Sequence, residues 1–466
     1  MKKQQLFRAL FYLGLSLSTI GCATYHSLSE KYQEELIDGD FTKAISSIEK
    51  NKFLNKNRNE LLYCLEKGKV THLNGEYQLS NELFNKADAL IEDHKNNLVA
   101  GVLGVLTNPE KTTYRAEDFE KVAIHYYKAL NYIFLNLYDD ALVEAKRINI
   151  ELQKINDSYP AGKKNRYTTD AFALNLQGML YEFNGNMNDA FISYRNAIDL
   201  YIANNNTYFG VPIPNQLKQD IINIAHLLGF TAEELKYSKQ FGLKFNKSKL
   251  TKGEVIVFWE NGLVPYKSQT YFTFTALPGI NNSFVNQDLG VSFTIPTANS
   301  SNKLSHMSVL NVAFPKYENR PSVFSEAKIF INQDKRDDYK FELIEDYATI
   351  AFKTLQDRTV REISKIALRV AAKKISESIA RNQNEGLGAI VGIFNAITEK
   401  TDTRNWQTLP SQIYYSRVPL TEEDNKIKIQ VQTKQGVTQV KEFNVNSTKN
   451  IQFLNYITPQ IILLTK

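Results

Sequence analysis

Three stretches of this chain repeat one another without gaps, and that self-similarity constrains the fold more than any other feature. EKGKVTHLNGEYQLSNELFNKADALI ends at Ile91, YKALNYIFLNLYDDALVEAKRINIE at Glu151, and LQGMLYEFNGNMNDAFISYRNAIDLY at Tyr201. With Gly68, Ala129 and Gly178 in one column, Thr71, Tyr132 and Tyr181 fall three residues later. Gly75, Asn136 and Gly185 then mark a turn, with Tyr77, Tyr138 and Met187 just beyond it. Ser80, Ala141 and Ala190 follow, then Phe84, Ala145 and Tyr194, then Ala87, Ile148 and Ala197. The small first column lets two helices approach closely. The Gly or Asn at the turn supplies a left-handed conformation where the first helix ends. A single unit of this kind cannot bury its apolar face, so the units must stack.

These columns resemble the tetratricopeptide pattern. The resemblance implies an N-terminal α-helical repeat domain over 31–245, with Asn97–Glu117 and Asn156–Thr169 as insertions between repeats. Its concave face would be lined by the first helix of each pair: Leu62, Leu65 and His72; Tyr126, Leu130 and Ile133; Phe172, Asn175, Met179 and Glu182. That face is largely apolar and aromatic. A partner or the second domain has to cover it, and Tyr126, Phe172 and Met179 are its candidate partner-binding residues. The lysine and asparagine pattern that clamps a peptide carboxylate is missing.

After Leu250 the pattern changes to strands: Gly253–Glu260, Gln269–Thr275, Gly290–Ile295, His306–Phe314, Ala327–Asn332, Gln412–Val418, Lys426–Thr433 and Val437–Phe443. A helical block of about 343–398 interrupts them. The expected architecture is therefore α+β and multidomain. A helical repeat domain precedes a strand-rich domain, 253–466, which forms a β-sandwich or curved sheet with a helical insert, and two cores divide near 246–252. Within the insert, Arg358, Arg361, Lys365, Arg369 and Lys373 share one helix face, a solvated stripe or a surface for an acidic partner. Gly386, Gly388 and Gly392 lack the Lys-Ser/Thr of a phosphate loop and read as close helix packing.

The first 21 residues carry Lys2, Lys3 and Arg8 ahead of an apolar run from Leu10 to Ile20, too short to span a bilayer comfortably. That is a secretory signal, and it ends in Thr19-Ile20-Gly21-Cys22. The ending resembles the bacterial lipobox, apart from Thr19 where Leu is preferred. The resemblance implies diacylglycerol on the Cys22 sulfur, further acylation (palmitate in the usual case), and a tether over 22–30. Ala23 in place of Asp implies the outer membrane, with the chain facing the periplasm. Removal of the signal takes the formal charge from +6 to +3, too near neutral to argue for nucleic acid.

No chemistry declares itself. The six histidines are scattered, no HExxH or Cys/His zinc spacing occurs, and Cys64 falls in a helix-core column. Nothing in the sequence calls for a metal or a cofactor, and no carboxylate pair singles itself out.

Several strings together resemble an uncharacterised family of bacterial lipoproteins with tetratricopeptide-like repeats. They are Phe119-Glu120-Lys121-Val122, His125-Tyr126-Tyr127, Ala129-Leu130-Asn131-Tyr132, Ala141 to Arg147, and Gln177-Gly178-Met179-Leu180-Tyr181-Glu182. Gly253-Glu254-Val255, Glu260 to Lys267 and Asp402 to Pro410 complete the set. The resemblance implies a non-enzymatic interaction adaptor of the envelope, linked to peptidoglycan synthesis, with envelope proteins as partners. An enzyme acting on peptidoglycan or glycan is the alternative. In Asp402–Pro410, Arg404 and Trp406 are either structural plugs or anchors for a partner.

Overall fold

The computed structural model describes residues 24–96, 112–157, 167–246, 252–277, 283–294, 309–332, 339–359, 362–363, 366, 397–398, 401–448 and 450–461. Cys22, the signal segment, Arg361, Lys365, Arg369, Lys373 and the glycines at 386, 388 and 392 lie outside these residues.

The repeat columns become helical hairpins. α1 (Tyr25–Ile37) pairs with α2 (Phe41–Glu49), α3 (Glu60–Leu73) with α4 (Tyr77–Asn96), and α5 (Asp118–Phe134) with α6 (Tyr138–Asp157). α7 (Ala171–Phe183) pairs with α8 (Met187–Ala203), and α9 (Asn215–Leu227) with α10 (Thr231–Phe241). Each hairpin packs on the next. The three expected repeats are thus flanked by a hairpin on either side. The turn column has the predicted backbone, with φ of +81° at Gly75, +75° at Gly185 and +60° at Asn136. The first column also has a measurable purpose. A Cβ at Gly68 would stand 2.8 Å from the Phe84 ring, and one at Gly178 would stand 2.2 Å from the Tyr194 ring. The middle repeat solves the same contact with alanines, Ala129 and Ala145, both fully buried.

The expected tether over 22–30 is corrected from residue 24 onward. Thr24 caps α1, its hydroxyl accepting the Ser27 N–H, and Tyr25 and Ser29 are buried. A buried tyrosine in the first turn fixes the chain where a flexible leash was expected.

A short ribbon, β1 (Thr207–Tyr208) with β2 (Val211–Pro212), joins α8 to α9, and the strand-rich half begins after α10. Its central strand is β3 (Gly253–Asn261). β12 (Gln412–Leu420) flanks β3 antiparallel and β15 (Ile451–Thr458) flanks it parallel; β10 (Glu342–Asp346) completes the sheet beyond β12. A second sheet runs β14 (Thr438–Asn446), β13 (Asp424–Thr433), β8 (Phe324–Ile331), β9 (Tyr339–Lys340). A third runs β11 (Ile397–Thr398), β7 (Val309–Glu318), β4 (Tyr266–Ala276), β5 (Ser283–Asn286), β6 (Val291–Thr294). The block expected to be helical from about 343 opens as β10, continues as a helix over 347–359, and ends in β11.

The core does not divide at 246–252. Along β3 successive side chains point to opposite faces. Val255, Val257 and Trp259 join Ile329, Ile429 and Val431 between the first two sheets. Ile256 and Phe258 join a larger cluster that includes Tyr126, Phe172, Met179 and Trp406 from the helices and the 401–411 segment. Among the described residues the core forms two apolar clusters, and the line between them runs through the middle of β3. This explains why Gly253–Glu260 reads as a near-continuous apolar run: the strand is covered on both faces.

Candidate functional site: the inner face of the helical repeats

The first helices of the hairpins, α3, α5 and α7, turn one face inward, and the rest of the chain fills it. The filling segment is 401–411, an irregular stretch between the insert and β12. An irregular backbone inside a protein must find partners for its N–H groups. Here they are carboxylates from the repeats. The Trp406 N–H donates to Glu120 Oε1 at 2.7 Å. The Gln407 and Thr408 N–H groups donate to the two oxygens of Glu66 at 2.9 and 3.2 Å, and the Thr408 hydroxyl adds a bond of 2.7 Å. Tyr25 closes the set from α1, its hydroxyl 2.8 Å from Glu66.

Side chains complete the lock. The Trp406 ring sits 5.6 Å from Phe84 and 5.9 Å from Tyr127, and its indole N–H donates to Thr408 Oγ1 at 3.0 Å. Arg404 grips Asp402 in a fork (2.8 and 2.6 Å) and donates to Asn59 Oδ1 at 2.6 Å in the repeats. Arg320 donates to the Val264 and Gln407 carbonyls and to Gln33 Oε1 of α1, and its burial holds its guanidinium down at about 10.

Beside this segment lies a buried ion pair joining the two halves. Lys69 of α3 and Glu260 of β3 are both fully buried, 2.5 Å apart, with the Tyr127 ring 4.0 Å below the ammonium. The hydroxyls of Tyr126 and Tyr127 donate to Glu260 at 3.3 and 3.1 Å. Burial pulls the Lys69 ammonium down in pKa, against the opposing pull of Glu260. Further along, Arg417 of β12 reaches Glu182 of α7 at 2.7 Å, Asp220 of α9 at 3.3 Å and Glu254 of β3. One guanidinium among three carboxylates leaves excess negative charge. Burial, with Glu182 nearby, pushes Asp220 up to about 7 despite Arg417.

Glu120 is pushed to about 7 by burial and by the charge of Glu117, although Tyr114 and the Trp406 amide pull it back. Burial acts in the same direction on Glu117. There the charges of Arg358 and Lys267 outweigh it and leave the carboxyl at about 2.

The five side chains predicted to meet a partner are all inside. Tyr126 is 1% exposed, Phe172 2%, Met179 0%, Arg404 1% and Trp406 0%. Tyr126 packs edge-on against Phe172 (5.1 Å), which meets Phe258 of β3 at 6.1 Å. The partner-binding assignment is corrected for all five: the chain's own second half covers Tyr126, Phe172 and Met179, and Arg404 and Trp406 are part of that cover. Arg358 is corrected as a solvated stripe residue, since it pairs with Glu117 at 2.5 Å and is mostly buried. Cys22 lies outside the described residues.

No protein-family model matches the sequence, and no curated protein matches it. Similar solved structures exist. The apo form of RapI is 12% identical, with 51% of this chain and 58% of RapI covered and a TM-score of 0.35. MamA is 16% identical over 48% of this chain and 96% of its own, with a TM-score of 0.28. A Podosopora anserina kinesin light chain protein with TPR-like repeats is 14% identical over 46% of this chain and 90% of its own, with a TM-score of 0.31. This chain spans a little over half of the RapI chain.

The residues that sequence reasoning missed are the charges: Glu66, Lys69, Glu120, Glu260, Arg320 and Arg417. A signal was present, because Glu66 and Lys69 interrupt an otherwise apolar helix stripe and Glu120, Glu182 and Glu260 fall inside the strings that carry the family resemblance. The three strings that hold these glutamates, scattered in sequence, each reach across this seam. Its carboxylates already accept main-chain amides, tyrosines or a lysine of the same chain, so they act as structural acceptors. A separate cavity of about 290 Å³ lies between α4, α5 and α6. Its Arg147 pairs with Asp88 at 3.0 Å, and His125 Nδ1 is hydrogen-bonded to Glu144 at 2.8 Å.

Proposed function

We propose that this chain is a lipoprotein held at the outer membrane through Cys22, facing the periplasm, and that it serves as a non-enzymatic adaptor between envelope proteins. The link to peptidoglycan synthesis rests on the family resemblance in the sequence. The adaptor reading is carried by one observation. With the inner face filled, the repeats offer partners their second helices, and these expose aliphatic side chains at matching positions. Val143 of α6 and Ile192 of α8 both stand seven residues after their turns, 53% and 36% exposed. Ile150 continues the α6 stripe one heptad on, 51% exposed. Exposed aliphatic side chains at equivalent positions of successive repeats are the candidate contacts for a protein partner.

Photo-crosslinking in intact envelopes from a position beside Val143 tests this. Val143→Glu with Ile150→Glu should erase the crosslinked species while leaving the urea midpoint and membrane fractionation unchanged. An unchanged crosslink pattern would remove the patch from the account. Cys22→Ser should leave the protein unprocessed or misplaced, and wild-type fractionation of that variant would contradict the anchor.

A further inference from the structure

Residues 50–58 read Lys-Asn-Lys-Phe-Leu-Asn-Lys-Asn-Arg, four cations and no acid, in the connection between α2 and α3. Lys50, Lys52 and Lys56 are exposed and Arg58 is half-buried. None of the four forms an ion pair with a carboxylate among the described residues. The flanking acids are engaged elsewhere, Glu49 with Lys67 at 2.8 Å and Glu60 with Lys86 at 2.6 Å. The loop is fastened to the start of α1. The Asn51 side chain donates to the Leu28 carbonyl at 2.8 Å, and the Phe53 ring lies 5.6 Å from Tyr25. Leu28 itself is 38% exposed on this side.

Cys22 is two residues before Thr24, so covalent geometry keeps their Cα atoms within about 7 Å. Tyr25 is buried, so a lipid on Cys22 would bring the bilayer to the very end of α1 where the basic loop sits. Cations held within roughly one Debye length, about 8 Å, of an anionic surface are attracted to it. We propose that the 50–58 loop is a docking surface for anionic lipid headgroups, which fixes one orientation of the anchored protein against its membrane. The proposal rests on the reading of Cys22 as the lipid attachment point.

The test uses the full chain purified from membranes and carrying Asn55→Cys, labelled with a fluorescent donor. Cys64 is buried and its burial pushes the thiol up to about 11, so it stays unlabelled. The protein is mixed with vesicles containing a headgroup acceptor, made either of phosphatidylcholine alone or with about one-third phosphatidylglycerol. Flotation with neutral vesicles reads the anchor, and energy transfer reads docking. Docking predicts higher transfer on the anionic vesicles, lost at high salt. Lys50→Gln with Lys52→Gln and Lys56→Gln should weaken docking on the order of a hundredfold without changing flotation. Equal transfer on both vesicles, or wild-type transfer from the triple variant, overturns docking while the anchor stands. Flotation with anionic vesicles alone overturns the anchor and supports the loop. Flotation with neither overturns both.

Discussion

At Glu66 one carboxylate joins α3 to amides 341 and 342 positions further along the chain. Such a group is legible in sequence as a charge on an apolar stripe, but its partners are not, because an irregular segment carries no periodicity to place it. The Lys69–Glu260 pair makes the sharpest residue-scale prediction. Breaking a buried pair strands a charge, at about 3–5 kcal/mol, whereas an apolar exchange of both partners is often neutral. Lys69→Met alone and Glu260→Leu alone should each lower the urea midpoint strongly, and the double variant should recover most of the loss. Additive losses would mean that the pair is not coupled. The raised carboxyls set a second prediction. Burial, then Glu117, raises Glu120 in the fold to about 7, so the folded state holds a proton that the unfolded chain releases at an ordinary carboxylate pKa. Its contribution is therefore complete below about pH 4 and is lost as pH rises toward 7. Glu117, lowered to about 2, works in the opposite sense and loses its contribution as pH falls toward 2. Urea midpoints of the wild type should decline between pH 5 and 7, and Glu120→Gln should flatten that decline. An unchanged slope would refute the assignment.

The helical hairpins illustrate what periodicity reveals at the scale of elements. The turn and small-residue columns were legible because each position has a single steric demand. Gly178 leaves room for Tyr194, whose hydroxyl is held by Glu182 at 3.0 Å, so the ring cannot swing away freely. Gly178→Ala should cost about 1–3 kcal/mol by overpacking. Combined with Tyr194→Ala, it should add almost nothing to the loss from Tyr194→Ala alone, since the middle repeat already carries alanine in both columns. A fully additive double variant would show that the two columns do not touch. The flanking hairpins escaped notice because they keep the turn glycine but place Tyr32 and Ile222 in the small column. Among the strands, alternation exposed β4, β12 and β13. β15 is not legible, as the polar spacing of NIQFLNYIT hides a strand whose pairing with β3 is parallel and comes from the far end of the chain. β10 was absorbed into the helical block because ELIED has no period of its own.

At the scale of the whole molecule, the change from helix to strand patterning after Leu250 was read correctly as a change of architecture, and its energetic meaning was not. A sequence pattern shows that a surface is apolar without showing what covers it. Tyr126, Phe172 and Met179 looked like a groove awaiting a partner, and the cover is β3 and the 401–411 segment of the same chain. The helices and sheets therefore stabilise each other across a seam that is both apolar and charged. Removing the second half would expose that apolar face, strip Lys69 of Glu260, take three of the four donors from Glu66 and remove the Trp406 amide from Glu120, a cost no part of the repeats offsets. The central claim is tested most directly by expressing residues 24–245 alone and following urea unfolding by far-ultraviolet circular dichroism beside the full chain. The account predicts that the fragment aggregates or unfolds without a cooperative transition, while the full chain gives one sharp transition. A soluble, helical fragment that unfolds cooperatively at the midpoint of the full chain would contradict it.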